Sequence, residues 1–247
     1  MESKVLGGST ENEIKKREEL INSLKNSPIP DNELVHNLGL YLNRQTLSRI
    51  LFFHELYLKI LNVHGVVMEF GVRWGQTLSL FTSFRGIYEP YNYLRKIIGF
   101  DSFAGFPSVN KKDGTMIKNG DYGVVPNYEE YLDIILSYHQ SESPISHKKK
   151  YELVKGDATK SVSEYLTNNP ETIIALAYFD FDIYEPTKEV LKLIKPHLTK
   201  GSVLGFDELC MREFPGETLA LKEELGLSKY AIKRVPYNPT TSYLVIE

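Results

Sequence analysis

The chain has 247 residues, of which 42% are hydrophobic and 25% charged, ordinary globular values that suit one α/β domain with an N-terminal addition. A net charge of -3 gives no electrostatic case for nucleic acid or an anionic membrane, and Lys148-Lys149-Lys150 is too short a run to alter that. Cys210 is the sole cysteine, which excludes an intramolecular disulfide; the start Met1-Glu2-Ser3-Lys4 lacks an apolar signal core, and no run approaches the ~18 apolar residues of a membrane span, so a cytoplasmic protein without a membrane partner is expected.

From Glu11 to about Lys25, Ile14, Leu20, Ile21 and Leu24 recur at helical spacing until Pro28 and Pro30 break the pattern. Between Asn43 and Leu61, the residues Leu47, Ile50, Leu51, His54, Leu58 and Leu61 mark one face of a second helix, suited to packing on a sheet or a partner subunit. Strand-like runs then recur near 66–70, 97–100, 151–154, 173–180 and 202–206, with helical patterns between them. That alternation predicts parallel strands joined by crossover helices. The runs Tyr230 to Val235 and Ser242 to Ile246 are too close for a helical crossover and are expected to pair antiparallel. The fold class is therefore α/β: a Rossmann-like, doubly wound, mostly parallel seven-stranded sheet with an antiparallel last strand, plus N-terminal helices.

The glycine-spaced turn Glu69-Phe70-Gly71-Val72-Arg73-Trp74-Gly75 follows an apolar run and opens a helical pattern, which offers close backbone approach and free N–H groups to a nucleotide-like ligand. Later apolar runs end in Asp101, in Asp180 and Asp182, and in Asp207-Glu208. In a parallel sheet these ends share one edge, so the acids are expected to converge on one crevice. Like charges brought together ask for a counter-ion, and an all-oxygen set built from Asp180, Asp207 and Glu208 favours Mg²⁺ or Ca²⁺ over zinc. Helix capping is the competing role for Asp182, as a plain turn is for Asp157. Between Phe103 and Asn127, six glycines and prolines mark a long loop, a candidate lid over 103–127. His139, at the end of the next helical pattern, is a second candidate base beside Asp180.

The glycine turn, Phe100-Asp101-Ser102-Phe103-Ala104-Gly105-Phe106-Pro107, Lys155-Gly156-Asp157-Ala158, Phe179-Asp180-Phe181-Asp182-Ile183-Tyr184-Glu185-Pro186-Thr187 and Gly201 through Glu208 together resemble the class I S-adenosylmethionine-dependent methyltransferases. More narrowly the chain is similar to the macrocin O-methyltransferase family, which methylates sugar hydroxyls in natural-product biosynthesis. The block from Asp180 to Thr187 is the most family-specific. The resemblance implies a cofactor site at Glu69, Phe70, Gly71, Val72, Gly75 and Thr77, at Asp101, Ser102 and Phe103, and at Gly156, Asp157 and Ala158. It implies S-adenosylmethionine and Mg²⁺, a small sugar-containing acceptor, and a homo-oligomer. Residues 1–62 then form a helical extension for oligomerisation or acceptor cover, and 63–247 the methyltransferase domain.

The chain departs from the family where Arg73-Trp74 replaces Trp-Arg, where Gln76-Thr77 replaces small residues, and where Asp207-Glu208 replaces a paired aspartate. The reading is a Mg-assisted O-methyltransferase acting on a deoxysugar, with three alternatives: a catechol-type enzyme for small phenols, a non-catalytic nucleotide-binding module, and an NAD-dependent oxidoreductase. The last lacks its three-glycine fingerprint.

Overall fold

The computed structural model describes residues 9–247. The chain divides into two compact units, Met1–Arg49 and Ile50–Glu247. The described part of the first holds α1 (Glu11–Lys25), the short α2 (Asp31–Leu34), a 3-10 stretch (Val35–Tyr41) and the start of α3 (Arg44–Lys59). Helix α1 opens with a capping box, in which the Thr10 hydroxyl accepts the Glu13 N–H and the Glu13 carboxylate accepts the Thr10 N–H. None of α1, α2 or the 3-10 stretch has a buried residue. The buried residues of α3 are Phe52, Phe53, Leu56 and Tyr57, all in the second unit, and the division between the units falls inside this helix.

The second unit is built on a seven-stranded sheet of order β3-β2-β1-β4-β5-β7-β6. Its strands are β1 (Val66–Phe70), β2 (Ile97–Asp101), β3 (Tyr151–Lys155), β4 (Ile174–Phe179), β5 (Leu198–Phe206), β6 (Lys233–Val235) and β7 (Asn238–Val245). The first five run parallel, and β7 lies antiparallel between β5 and β6. This is the expected architecture. The short link at Pro236-Tyr237 forces a hairpin, while helices α4 (Gln76–Tyr88), α5 (Tyr128–Ser141), α6 (Ala158–Asn168) and α7 (Tyr184–Ile194) occupy the crossovers. Helix α8 (Gly216–Glu224) follows β5.

Both faces of the sheet are covered, which is why β1, β2 and β4 read as near-continuous apolar runs. On one face Phe70, Phe100, Phe179 and Phe206 pack with Val162, Tyr184, Val190, Leu191 and Leu221 from α6, α7 and α8. On the other, Val67, Ile97, Leu176 and Tyr178 meet Phe53, Leu78, Phe81, Leu132 and Leu136 from α3, α4 and α5. Strand order reverses between β1 and β4, so the crevice that such sheets use for ligands opens over the carboxyl ends of these two strands.

Candidate active site

Tight backbone packing forms this edge. The β1 turn leaves the sheet through Gly71 (φ +94°), whose N–H donates to Phe100 O at 3.0 Å, while Asp180 N–H donates to Phe70 O at 2.8 Å. A Cβ on Gly71 would meet the Asp180 carbonyl oxygen at 2.0 Å, and one on Gly75 (φ +77°) would meet the Leu132 side chain at 2.4 Å. The glycines were expected for close approach of a ligand. In the fold, what each already approaches is the protein's own chain, Gly71 against β4 and Gly75 against α5.

Asp101 joins the loops that follow β1 and β2. Its Oδ2 accepts Arg73 N–H at 2.7 Å and its Oδ1 accepts Phe103 N–H at 2.6 Å. Each oxygen keeps a further lone pair for a ligand hydroxyl. Ser102 is part of the next turn, donating to Gly105 O and accepting Ala104 N–H. Asp157 caps α6 through Thr159, the turn role weighed for it from the sequence. Among the other expected cofactor residues, Phe70 and Ala158 pack in one face cluster and Val72 and Phe103 in the other; Thr77 and Glu69 are buried. Gly156 donates its N–H to Asp101 O at 2.9 Å. At the core-packed positions backbone groups, rather than side chains, are what the edge can present.

The acids of β4 and β5 come together as expected. One carboxylate oxygen from each of Asp180, Asp207 and Glu208 lies within 4.8 Å of the others. Asp207 is anchored by the Tyr178 hydroxyl, which donates to its Oδ1. Glu208 shares a hydrogen bond with Asp182, and its Oε2 is buried without a hydrogen-bond partner. Burial, followed by the charges of Asp182, Asp207 and Asp180, holds the Glu208 carboxyl well above the ordinary carboxylate range. Asp182 sits at φ +61°, strained for a non-glycine residue, and does not cap α7. The Tyr184 N–H at the start of α7 instead donates to Asp113 Oδ1, a lid carboxylate, at 2.5 Å.

The candidate lid, 103–127, is a folded segment. Phe106 N–H donates to Asp121 O, Gly120 N–H to Phe106 O, and Val109 N–H to Asn119 Oδ1. Lys112 bonds Glu223 at 2.7 Å and stands 3.8 Å from the centre of the Tyr184 ring. Tyr122 carries the Arg73 guanidinium 4.7 Å over its ring, and burial together with the charges of Asp182 and Glu208 pushes its phenol up to about 12. Tyr122 and Arg73 therefore belong to the surroundings of the acid cluster.

His139 does not. Its Nδ1 lies 3.3 Å from Ser83 Oγ, roughly 10 Å down α4 from the glycine turn at 1.5 Å per residue. Its neighbour Gln140 bonds Ser146 O and Lys148 O, just before the amino end of β3. Helix α5 starts beside the crevice and carries His139 away from it. Two acids that sequence reasoning missed stand closer in. Glu217, fully buried in the first turn of α8, accepts the N–H groups of Phe181 at 3.2 Å and Glu208 at 3.4 Å. Asp113 is 1% exposed. An acid in a first helical turn and the Asn110-to-Asp113 capping pattern were the available signals, and both read equally well as local helix chemistry.

Neither a protein-family model nor a curated protein matches the sequence. Among solved structures, the crystal structure of CalS11, a calicheamicin methyltransferase, is 43% identical, with a TM-score of 0.94 over 99% of this chain and 96% of that one. The chain belongs to the S-adenosylmethionine-dependent sugar O-methyltransferases of natural-product biosynthesis. An apo structure of CalS11, described as a TDP-rhamnose 3'-O-methyltransferase, agrees at 42% identity and a TM-score of 0.87, covering 97% of this chain and 96% of that one. The O-methyltransferase NovP, 17% identical with a TM-score of 0.60 over 80% of this chain and 79% of that one, shares the fold. Among the described residues of this methyltransferase, no helix is long and apolar enough to cross a membrane.

Proposed function

We propose that the enzyme methylates a hydroxyl of a nucleotide-linked deoxysugar, with a divalent cation held by Asp180, Asp207 and Glu208. The observation that carries the cation is the trio of carboxylate oxygens within 4.8 Å at the strand ends. The donor set fits: it is all oxygen, it leaves the buried Glu208 Oε2 for a partner, and its like charges are costly together without one. The deoxysugar acceptor rests on the likeness to the TDP-rhamnose 3'-O-methyltransferase over nearly the full length of both chains.

Asp180, Asp207 and Glu208 would hold the cation, which would supply Lewis-acid activation of the reacting hydroxyl. The protein's own groups supply the rest. A carboxylate committed as a ligand is a weak base, so the Asp180 of the trio passes that task to Asp182, whose carboxyl reaches Glu208 from outside the trio. Asp182 takes the hydroxyl proton as the oxygen bonds to the methyl carbon and the carbon–sulfur bond breaks. The backbone of the Gly71-to-Gly75 turn, Asp101 and the Gly156 turn would hold S-adenosylmethionine, and in-line alignment of this kind is worth about 7–11 kcal/mol in favourable cases. Tyr122 and Phe106 of the 103–127 segment, with Arg73 of the glycine turn over the Tyr122 ring, would line the acceptor side.

Incubation with S-adenosylmethionine and TDP-rhamnose, followed by mass spectrometry, tests the reading. Gain of one methyl on the sugar, abolished by EDTA and restored by Mg²⁺, is expected. Methylation of catechol in preference to the nucleotide sugar would overturn the acceptor, and turnover indifferent to EDTA would overturn the cation. The first unit leaves Val35 and Leu40 about two-thirds exposed, so we also propose a homo-oligomer. Light scattering that returns the 28.3 kDa monomer well above micromolar concentration counts against it.

A further inference from the structure

Glu217 is a fully buried carboxylate that none of the steps above uses. It stands in the first turn of α8, and each of its oxygens takes one backbone N–H from a different loop. Oε1 accepts Phe181 N–H, between Asp180 and Asp182 after β4; Oε2 accepts the N–H of Glu208 itself after β5. The three carboxylates of the trio come from these same two loops. Its neighbour Gly216 shows how closely α8 is pressed there: a Cβ would meet Tyr184 N at 2.5 Å and the carbonyl oxygen of Asp182 at 2.8 Å.

We infer that Glu217 is a positioning residue, a two-armed clamp that fixes the loops after β4 and β5 at the separation a divalent cation requires. Resting on the cation reading of the trio, the inference assigns Glu217 no contact with cofactor or acceptor. A side chain that bonds one loop alone could not set the distance between two. A carboxylate is the suitable group, because both of its oxygens accept. In Glu217→Gln the amide nitrogen can only donate, so one of the two backbone N–H groups loses its acceptor at nearly unchanged side-chain volume.

The test compares Mn²⁺ and Mg²⁺ binding to the full-length wild type and Glu217→Gln by calorimetry, with S-adenosylmethionine affinity measured alongside. Turnover is then followed against Mg²⁺ concentration. Cation affinity is expected to fall at least about tenfold, the scale of lost outer contacts to metal ligands, with cofactor affinity within twofold and turnover recovered at saturating Mg²⁺. A residue that merely held the fold together would weaken cofactor and cation alike, with no recovery. Unchanged cation affinity in Glu217→Gln, or turnover that falls with no shift in its Mg²⁺ midpoint, overturns the clamp and leaves the trio standing. A wild type that binds neither cation ends the cation reading itself. Should Glu217→Gln fail to fold, Glu217→Asp replaces it, with both acceptors one methylene short and the same two outcomes deciding.

Discussion

The carbonyl oxygen of Asp180 occupies the space in which a side chain on Gly71 would begin, 2.0 Å from an ideal Cβ. The close contact joins the β1 turn to the β4 tip, so the two halves of the crevice meet without a side chain between them. Gly71→Ala must both strain a residue at φ +94° and push the Asp180 backbone away. A loss of about 2–4 kcal/mol in urea unfolding is expected. Displacing Asp180 should also weaken Mg²⁺ binding in any folded fraction. A stability within 0.5 kcal/mol of wild type, roughly the range of an inert surface change, would show that the turn relaxes freely.

Protonation and cation binding oppose each other at Glu208. Its carboxyl, like that of Glu217, is held well above the ordinary carboxylate range, first by burial and then by the surrounding aspartates. A carboxyl raised in the fold favours the folded state below its unfolded pKa, and that advantage is lost as pH climbs through the raised value. The cation-free protein should therefore melt lower as pH rises above the ordinary carboxylate range. Mg²⁺ needs the ionised trio, so its binding should release protons and tighten with rising pH. Calorimetry in two buffers of different ionisation enthalpy counts the protons; a count of zero at neutral pH contradicts the account.

The fold was legible because β1, β2 and β4, covered on both faces, must be apolar at nearly every position, and a strand of that kind ends where an acid such as Asp101 or Asp180 begins. Strand order then brought Asp180, Asp207 and Glu208 together from neighbouring tips. His139 lies away from the acid cluster for a geometric reason. Proximity to the lid in sequence says nothing about which end of α5 faces the crevice, and a 14-residue helix is about 21 Å long. Glu217 and Asp113 were invisible because their partners, Phe181 and Tyr184, are 36 and 71 positions away and offer backbone N–H groups, which carry no sequence signature.

Asp180 and Asp182 should separate cleanly when each is changed to asparagine. Asp180→Asn removes a charge from the trio, and cation affinity is expected to fall by at least about tenfold, since ligand charge sets the affinity of such oxygen sites. Asp182→Asn removes no ligand of the trio but alters the hydrogen bond it shares with Glu208. Its turnover at saturating Mg²⁺ should still fall by about 10²–10⁴, the usual worth of a general base, with S-adenosylmethionine affinity nearly unchanged. The reverse pattern would return the proton to Asp180.

Asp113 tests whether the lid is held at the site by a bond or merely lies there. Its Oδ1 accepts the Tyr184 N–H at 2.5 Å and its Oδ2 accepts Asn110 N–H at 2.7 Å, so one buried lid carboxylate caps α7 beside Asp182 and closes its own 3-10 turn. Asp113→Ala leaves the buried Tyr184 N–H without its acceptor, at a cost of about 1.5–3 kcal/mol for bonds to a charged group. Some of that cost falls locally. Lys112, still bonded to Glu223 on α8, retains one tether, so the rest of the fold should persist while the Asn110-to-Gly114 stretch opens. The expected result is faster amide exchange across residues 103–127 and a raised KM for the acceptor, with S-adenosylmethionine affinity changed less, because Phe103 is the one expected cofactor residue inside that segment. Asp113→Asn, whose side-chain oxygen can still accept the Tyr184 N–H, should recover much of both. If exchange in the lid is unaltered in Asp113→Ala while β4 and β5 exchange faster, Asp113 serves the core and the lid is held by something else.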